Sequence, residues 1–274
     1  MTDLLQTELI AFWASVVAYS LATVAAISAL VFRRDWSRLI LTLLIIGWGV
    51  HTVAFGARWV RIGHLPVINT FEMLSANVWG LVAAVWLGYL MLPRVRAFAA
   101  FVLPVVTMLM GWMILIPMDE SSLPPTYRTV WLFIHIIFLK IFLGAAFVAL
   151  GIALITIFRK LNPGAATLQR LPADRELDAT AYRCMALALI FDTLGIVAGA
   201  IWAQDAWGRY WSWDPLEVWS LVTWLAIGLT LHVRASFRTP PLTNSLLVTG
   251  TFVIAFFTFF GIPFVTTALH KGAI

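Results

Sequence analysis

VWLFIHIIFLKIFLGAAFVALGIALITIF, residues 130–158, holds one charge, Lys140, and one histidine, His135, in 29 residues. A helix crossing a bilayer needs roughly 20 predominantly apolar residues, and this stretch exceeds that. Seven comparable stretches surround it, at approximately 9–32, 39–58, 73–92, 97–117, 185–203, 218–237 and 245–266. The composition agrees: 62% of the 274 residues are hydrophobic and 11% charged, with mean hydropathy +0.93. Soluble domains carry about 25% charged residues, so a soluble enzyme, a disordered regulator and a nucleic-acid reader are excluded. The expected fold is an all-α integral membrane protein, one polytopic domain over 1–274 with about eight transmembrane helices. The first stretch lacks a basic leader and a small-residue cleavage site and is expected to stay in the mature protein.

Positive charge in the gaps sets the direction. Gaps after odd-numbered spans hold twelve Lys and Arg residues, among them Arg33, Arg34, Arg94, Arg159, Arg175 and Arg234. The other side holds five: Arg58, Arg61, Arg128, Arg209 and Lys271. The positive-inside bias therefore puts both termini outside. In this setting a pI of 9.8 reports orientation and not nucleic-acid binding. The single cysteine, Cys184, forbids an internal disulfide and any CxxC motif. Residues 159–184 mix both charges with Pro163 and Pro172 and read as a solvated connector.

The outer gap between spans six and seven is different. Residues 202–219, WAQDAWGRYWSWDPLEVW, hold Trp202, Trp207, Trp211, Trp213 and Trp219, five of the chain's 14 tryptophans. An interfacial aromatic belt accounts for indoles at this level, but a belt spreads over many helix ends. The sharper reading is a flat apolar shelf for a large planar ligand. Asp214-Pro215-Leu216-Glu217 fits a helix start, with Asp214 as N-cap, Pro215 at the first helical position and Glu217 closing a capping box. That gives both carboxylates a structural role, while the helix start also suits a ligand carboxylate.

Five histidines complete the inventory: His51, His64, His135, His232 and His270. Each has an ordinary reading as a hydrogen-bonded interhelical or loop residue. His135 lies roughly 8 Å in from the outer end of its span at about 1.5 Å per residue, and His270 follows the last span, so both share the level of the tryptophans. His232 lies near the cytoplasmic end of span seven and His51 near the middle of span two. Paired imidazoles are a common axial set for haem iron, and outer Arg58, Arg61, Arg128, Arg209 and Lys271 would suit its carboxylates. Zinc fits less well, since no Cys, Asp or Glu lies at ligand spacing with these histidines. A proton relay would need carboxylates within the spans, where Asp192 is the candidate. Lys140 has no assigned role.

WGRYWSWDPLEVWSLVTWL at 207–225 resembles the tryptophan-rich WWD signature of haem-handling proteins of cytochrome c maturation. LIFDTLGIVAGAIWAQDAWG before it, LHVR at 231–234, SSLPPTYRTVWLFIH, RWVRIGHLPVINTFEML and FFGIPFVTTALHK are similar to the CcsA/ResC family of System II, often labelled CcsB in bacteria. The resemblance covers roughly residues 50–274, and eight spans suit CcsA better than the shorter CcmC or the larger CcmF. Two departures stand out: Leu216 replaces the family's usual Lys, and Pro263, Ala268 and Lys271 stand where Asn, Gly and Ser are common.

The resemblance implies an outer haem site with His135 and His270 as axial ligands, held against Trp202, Trp207, Gly208, Trp211, Trp213, Asp214, Pro215, Glu217 and Trp219. It implies a second, transmembrane haem site at His232, whose partner ligand the family attributes to a companion subunit; His51 is the alternative within this chain. The function implied is export and presentation of haem b and its covalent attachment to CxxCH motifs of apocytochrome c. This chain would be one component of a cytochrome c synthase of the haem lyase type. The partners implied are a ResB/Ccs1-type companion subunit, apocytochrome c, thiol-reducing thioredoxin-like proteins and membrane lipid. The membrane is expected to be a bacterial plasma membrane, or a thylakoid membrane for a plastid protein. Three rivals remain: a HemX-like regulator of tetrapyrrole synthesis, a haem b electron-transfer protein and a solute transporter. The electron-transfer design pairs histidines at matched depth on facing helices, whereas His51 and His232 differ by roughly 10 Å. The transporter would carry inverted repeats or broken helices, and the sequence has neither.

Overall fold

The computed structural model describes residues 2–265. Among these, eight helices are long and apolar enough to cross a membrane: α1 (Thr2–Phe32), α2 (Ser37–Ile62), α3 (Thr70–Met91), α4 (Ala99–Ile114, continuous with a 3-10 turn from Pro93), α5 (Val130–Leu161), α7 (Asp174–Trp207), α8 (Pro215–Phe237) and α9 (Pro241–Phe260). Short helices α6 (Ala166–Gln169) and α10 (Ile262–Val265) complete the set, and the described residues contain no strand. Helix is the form in which a spanning segment satisfies its own backbone polar groups without water.

One expectation needs correction. Residues 159–184 are not simply a solvated connector: α6 lies within them, and α7 begins at Asp174, a decade earlier than hydropathy placed the span. DRELDATAYRC is polar yet helical because its N-terminal acids, Asp174 and Glu176, complement the helix start. Leu177 and Ala181 meanwhile bury one stripe.

The chain forms two compact units. The first comprises residues 1–122 and 162–172. In it α1 packs on α2 and α4, and α3 on α2 and α4. Lipid offers apolar helices no hydrophobic gain for leaving it, so polar contacts and close packing must hold them. Thr23 and Thr107 hydroxyls meet at 2.8 Å, joining α1 to α4. His51 of α2 lies between α1 and α3, its Nδ1 3.2 Å from the Tyr19 hydroxyl and its Nε2 3.0 Å from Ser75 Oγ.

At one end of this unit Arg58 is 2% exposed and sits between two buried carboxylates, Glu8 at 2.9 Å and Glu72 at 2.9 Å. It also donates to the carbonyls of Met118 and Asp119, tying down the loop after α4. Arg61 pairs with Glu8 and with Glu120. Glu8 and Glu72 are thus, like Asp192, buried carboxylates within membrane-length helices.

The second unit comprises residues 123–161 and 173–274, described to 265. Its core is α5, with 78% of its most apolar stretch buried, against 17% for α8. The small residues Gly144, Ala145, Ala146, Ala149, Gly151 and Ala153 let α7 and α9 approach it closely. Threonine hydroxyl pairs, Thr223 with Thr258 at 2.9 Å and Thr230 with Thr251 at 2.8 Å, fasten α8 to α9.

Candidate haem-handling site

The site lies where α7 ends and α8 begins. Gly208, at φ +78°, stops α7 in the left-handed conformation that glycine adopts without a Cβ penalty. Its N–H donates to the Gln204 carbonyl at 3.0 Å. Six residues on, the expected capping box is formed. Asp214 accepts from the Leu216 N–H at 2.9 Å, and Glu217 accepts from the Asp214 N–H at 3.2 Å. Glu217 does more than close the box. It also accepts the Ser212 N–H at 2.8 Å and the Ser212 hydroxyl at 3.1 Å. Its carboxylate thus grips the backbone on both sides of Trp213, which is held at φ +60° with its indole 72% exposed. Such a conformation is costly for a residue with a Cβ and persists only where its surroundings impose it.

The five tryptophans do not form one flat shelf. Trp202 is 3% exposed and meets Trp207 edge to face, centroids 5.0 Å apart and planes at 74°. Trp211 and Trp213 are nearly perpendicular at 89°, and Trp219 turns away to meet Phe257 of α9 at 4.9 Å. Edge-to-face geometry is what the ring quadrupole favours when indoles crowd together. The result is an edge-to-face pair with Trp202 buried and Trp207 half-buried, a ring lining a pocket, an exposed ring and an anchor to α9.

His135, half-buried on α5, stacks on Trp202 at 6.0 Å and 21°. Its Nδ1 is 2.7 Å from the carbonyl oxygen of Gly195 on α7. A carbonyl can only accept, so Nδ1 carries the proton and, in the neutral ring, the lone pair is on Nε2. His135 lines a small open pocket, with a cavity volume of about 60 Å3, together with Leu139, Gly199, Trp211, Leu216 and Phe259.

Tyr127, which the sequence did not single out, meets Trp202 edge to face at 5.0 Å. Burial, and secondarily the Asp214 carboxylate, push its phenol above the usual tyrosine value. Gly195 and Gly199 were also missed. Their GIVAG spacing in an apolar helix is the small-xxx-small signal that would have flagged them.

The remaining candidates are dispersed. Arg128 and Arg209 are exposed and form no ion pair among the described residues. Arg58 and Arg61 are instead engaged by Glu8, Glu72 and Glu120, and Arg58 has a partner for every N–H it can donate. They are internal structural cations and not open carboxylate receptors. His51 is wholly buried with a hydroxyl at each ring nitrogen, so it brackets three helices. His64, in the loop after α2, has Nε2 3.0 Å from the Ser121 carbonyl.

His232 is exposed near the C-terminal end of α8, with Nδ1 3.5 Å from Ser236 Oγ. Two residues on, Arg234 bonds Asp178 at 2.9 Å and stacks over Tyr182 at 4.2 Å. Asp192 is buried in α7, and its Oδ2 has no hydrogen-bond partner among the described residues. His270 and Lys271 lie outside the described residues. No group of three or more His, Cys, Asp or Glu among the described residues is arranged to hold a bare metal ion.

An eight-span helical membrane protein with a capped, tryptophan-rich turn beside a histidine pocket is thus defined. The family model for cytochrome C assembly protein matches residues 67–270, and the chain belongs to that family; its role is in cytochrome c biogenesis. It is 28% identical over 244 residues to the cytochrome c biogenesis protein CcsA of Guillardia theta, covering 80% of each chain. It is 29% identical over 254 residues to CcsA of Chlamydomonas reinhardtii, covering 86% of this chain and 65% of that one. Among solved structures it is similar to the cytochrome c heme lyase CcmF, with a TM-score of 0.71 at 18% identity. That match covers 93% of this chain and 46% of CcmF, and it establishes the shared fold.

Proposed function

We propose that this chain carries haem b to the outer membrane face and presents it there for covalent attachment to the CxxCH motif of apocytochrome c. It does so as one component of a two-subunit cytochrome c synthase of the haem lyase type. The observation that carries the reading is His135: an imidazole with Nδ1–H fixed on a backbone carbonyl and its ring on Trp202, lining a pocket walled by Trp211 and Phe259. A tautomer set in this way is how proteins prepare a histidine to ligate a metal through its other nitrogen.

In this reading haem is the cargo. His135 and His270 are its outer axial ligands, Trp211 and Trp213 its aromatic contacts, and Arg128 and Arg209 the cations for its carboxylates. His232 holds haem nearer the opposite membrane face, with a ligand from a ResB/Ccs1-type companion subunit. Both termini lie outside, as the twelve-to-five distribution of basic residues favours. Each thioether forms when a cysteine S–H adds across a haem vinyl C=C, the hydrogen going to one carbon and sulfur to the other. No electrons are lost from the thiols, which thioredoxin-like proteins must keep reduced. The incoming histidine of CxxCH displaces one outer ligand. No side chain here has to act as acid or base, because placing thiol and vinyl together supplies most of the acceleration. The host membrane is a bacterial plasma membrane or a thylakoid.

The test is co-expression with the companion subunit and an apocytochrome c, followed by a haem stain of denatured protein. Wild type is expected to yield haem-bearing cytochrome, and His135→Ala and Trp211→Ala at least tenfold less. Full attachment with His135→Ala would contradict the reading, and a chain that accumulates haem without attaching it would favour a regulator or an electron carrier.

A further inference from the structure

We infer that Gly195 and Gly199 are positioning residues for the outer haem ligand, forming a two-glycine seat on α7 that sets the tautomer and tilt of His135. The inference rests on the reading of His135 as a ligand and extends it to residues that touch no haem.

The two glycines are one helical turn apart on α7, and His135 and Leu139 are one turn apart on α5, so two residues of each helix meet. A Cβ at Gly195 would lie 2.7 Å from Leu139 Cδ2, the flexible end of a side chain. A Cβ at Gly199 would lie 2.7 Å from both Cε1 and Nδ1 of His135. The ring therefore occupies the volume that any other residue at 199 would fill. It is confined on further sides by the Gly195 carbonyl at 2.7 Å from Nδ1 and by Trp202, stacked at 6.0 Å. The polar contact comes from the backbone of one glycine and the space from the absence of a side chain on the other.

The consequence is specific. Alanine at 199 must push the imidazole away from the Gly195 carbonyl, weakening the bond that keeps the proton on Nδ1. Alanine at 195 displaces a leucine tip and leaves the carbonyl in place. Both changes favour the helix intrinsically by up to about 1 kcal/mol, so helix propensity does not separate them. Loss of an outer-shell partner of a metal-bound histidine typically lowers metal affinity about 10–100-fold.

The experiment compares wild type, Gly199→Ala, Gly250→Ala, His135→Ala and the double variant Gly199→Ala/His135→Ala, each purified with its companion subunit. Haem content, the low-spin optical spectrum with and without imidazole, and the iron midpoint potential are read for each. Gly199→Ala is expected to hold about tenfold less low-spin haem, to regain the spectrum with imidazole, and to shift in potential, while Gly250→Ala, at an exposed α9 position where an added Cβ meets nothing within 4 Å, matches wild type. The double variant is expected to equal His135→Ala, since alanine fits once the ring is gone. If Gly199→Ala cannot be recovered from membranes, the double variant is expected to be recovered; its loss as well would overturn the inference. A Gly199→Ala spectrum and potential equal to wild type would overturn it too, provided His135→Ala loses haem. Unchanged haem in His135→Ala would instead defeat the ligand reading itself.

Discussion

His51 and His135 each lie inside a membrane-spanning helix, one in each compact unit, yet their ring nitrogens meet different kinds of partner. His51 has side-chain hydroxyls at both nitrogens, Tyr19 on α1 and Ser75 on α3, and no exposure. Hydroxyls both donate and accept, so the pair satisfies either tautomer, and the ring acts as a bracket. His135 is held by a carbonyl, which accepts only, and it lines a pocket. A histidine in a membrane helix is costly to bury in either case. The two rings differ in whether their surroundings leave the proton's location open or fix it.

The same contrast runs through the arginines. Arg58 is surrounded by Glu8, Glu72 and two carbonyls, whereas Arg128 and Arg209 are exposed. The sharpest way to break the comparison is therefore Arg58→Ala. Two buried carboxylates lose their shared cation, and breaking a buried pair costs about 3–5 kcal/mol. Thermal unfolding in detergent is expected to show this as a large loss of stability, while Arg209→Ala unfolds as wild type does and loses haem affinity. Next in size is His51→Ala, which strands Tyr19 and Ser75 and is expected to cost about 1–3 kcal/mol with the haem spectrum unchanged. A spectrum altered by His51→Ala would erase the distinction between the two histidines.

Much of this was legible in sequence, for local reasons. Eight apolar runs declare eight spans because the bilayer sets a minimum length. The Asp214–Glu217 cap was readable because its partners are three residues apart. The start of α7 at Asp174 was not, since hydropathy detects lipid contact and DRELDATAYRC is helix without it. Five tryptophans in one gap announced a site, but their edge-to-face arrangement depends on how α5, α7 and α9 pack. The seat for His135 was out of reach for the same reason: Gly195 and Gly199 acquire their meaning from the register of α7 against α5, 60 residues apart in the chain.

A smaller effect concerns Trp213. Its left-handed backbone costs about 1–2 kcal/mol for a residue with a Cβ, so Trp213→Gly is expected to be slightly more stable than wild type by thermal unfolding. Haem attachment is expected to fall in the same variant. Trp213→Ala, which retains the Cβ, would lose attachment without the gain in stability. Equal stability of the two variants would remove the case for imposed strain.

The smallest effect follows from Tyr127. Its phenol is raised in the folded protein by burial and by Asp214, so the neutral form is the one the fold favours. That contribution is intact below the unfolded value of about 10 and is lost as pH rises from there through the folded value. Tyr127→Phe is expected to lose less stability than wild type over that alkaline range, measured as unfolding temperature against pH. Parallel curves would show that the phenol makes no such contribution.

The most direct test of the contrast is the optical spectrum of the protein purified with its companion subunit, as wild type, His135→Ala and His51→Ala, before and after imidazole. The expected result is low-spin haem in wild type and His51→Ala, its loss in His135→Ala, and its return there with imidazole. Low-spin haem retained by His135→Ala and lost from His51→Ala would place the ligand in the other unit and contradict the account.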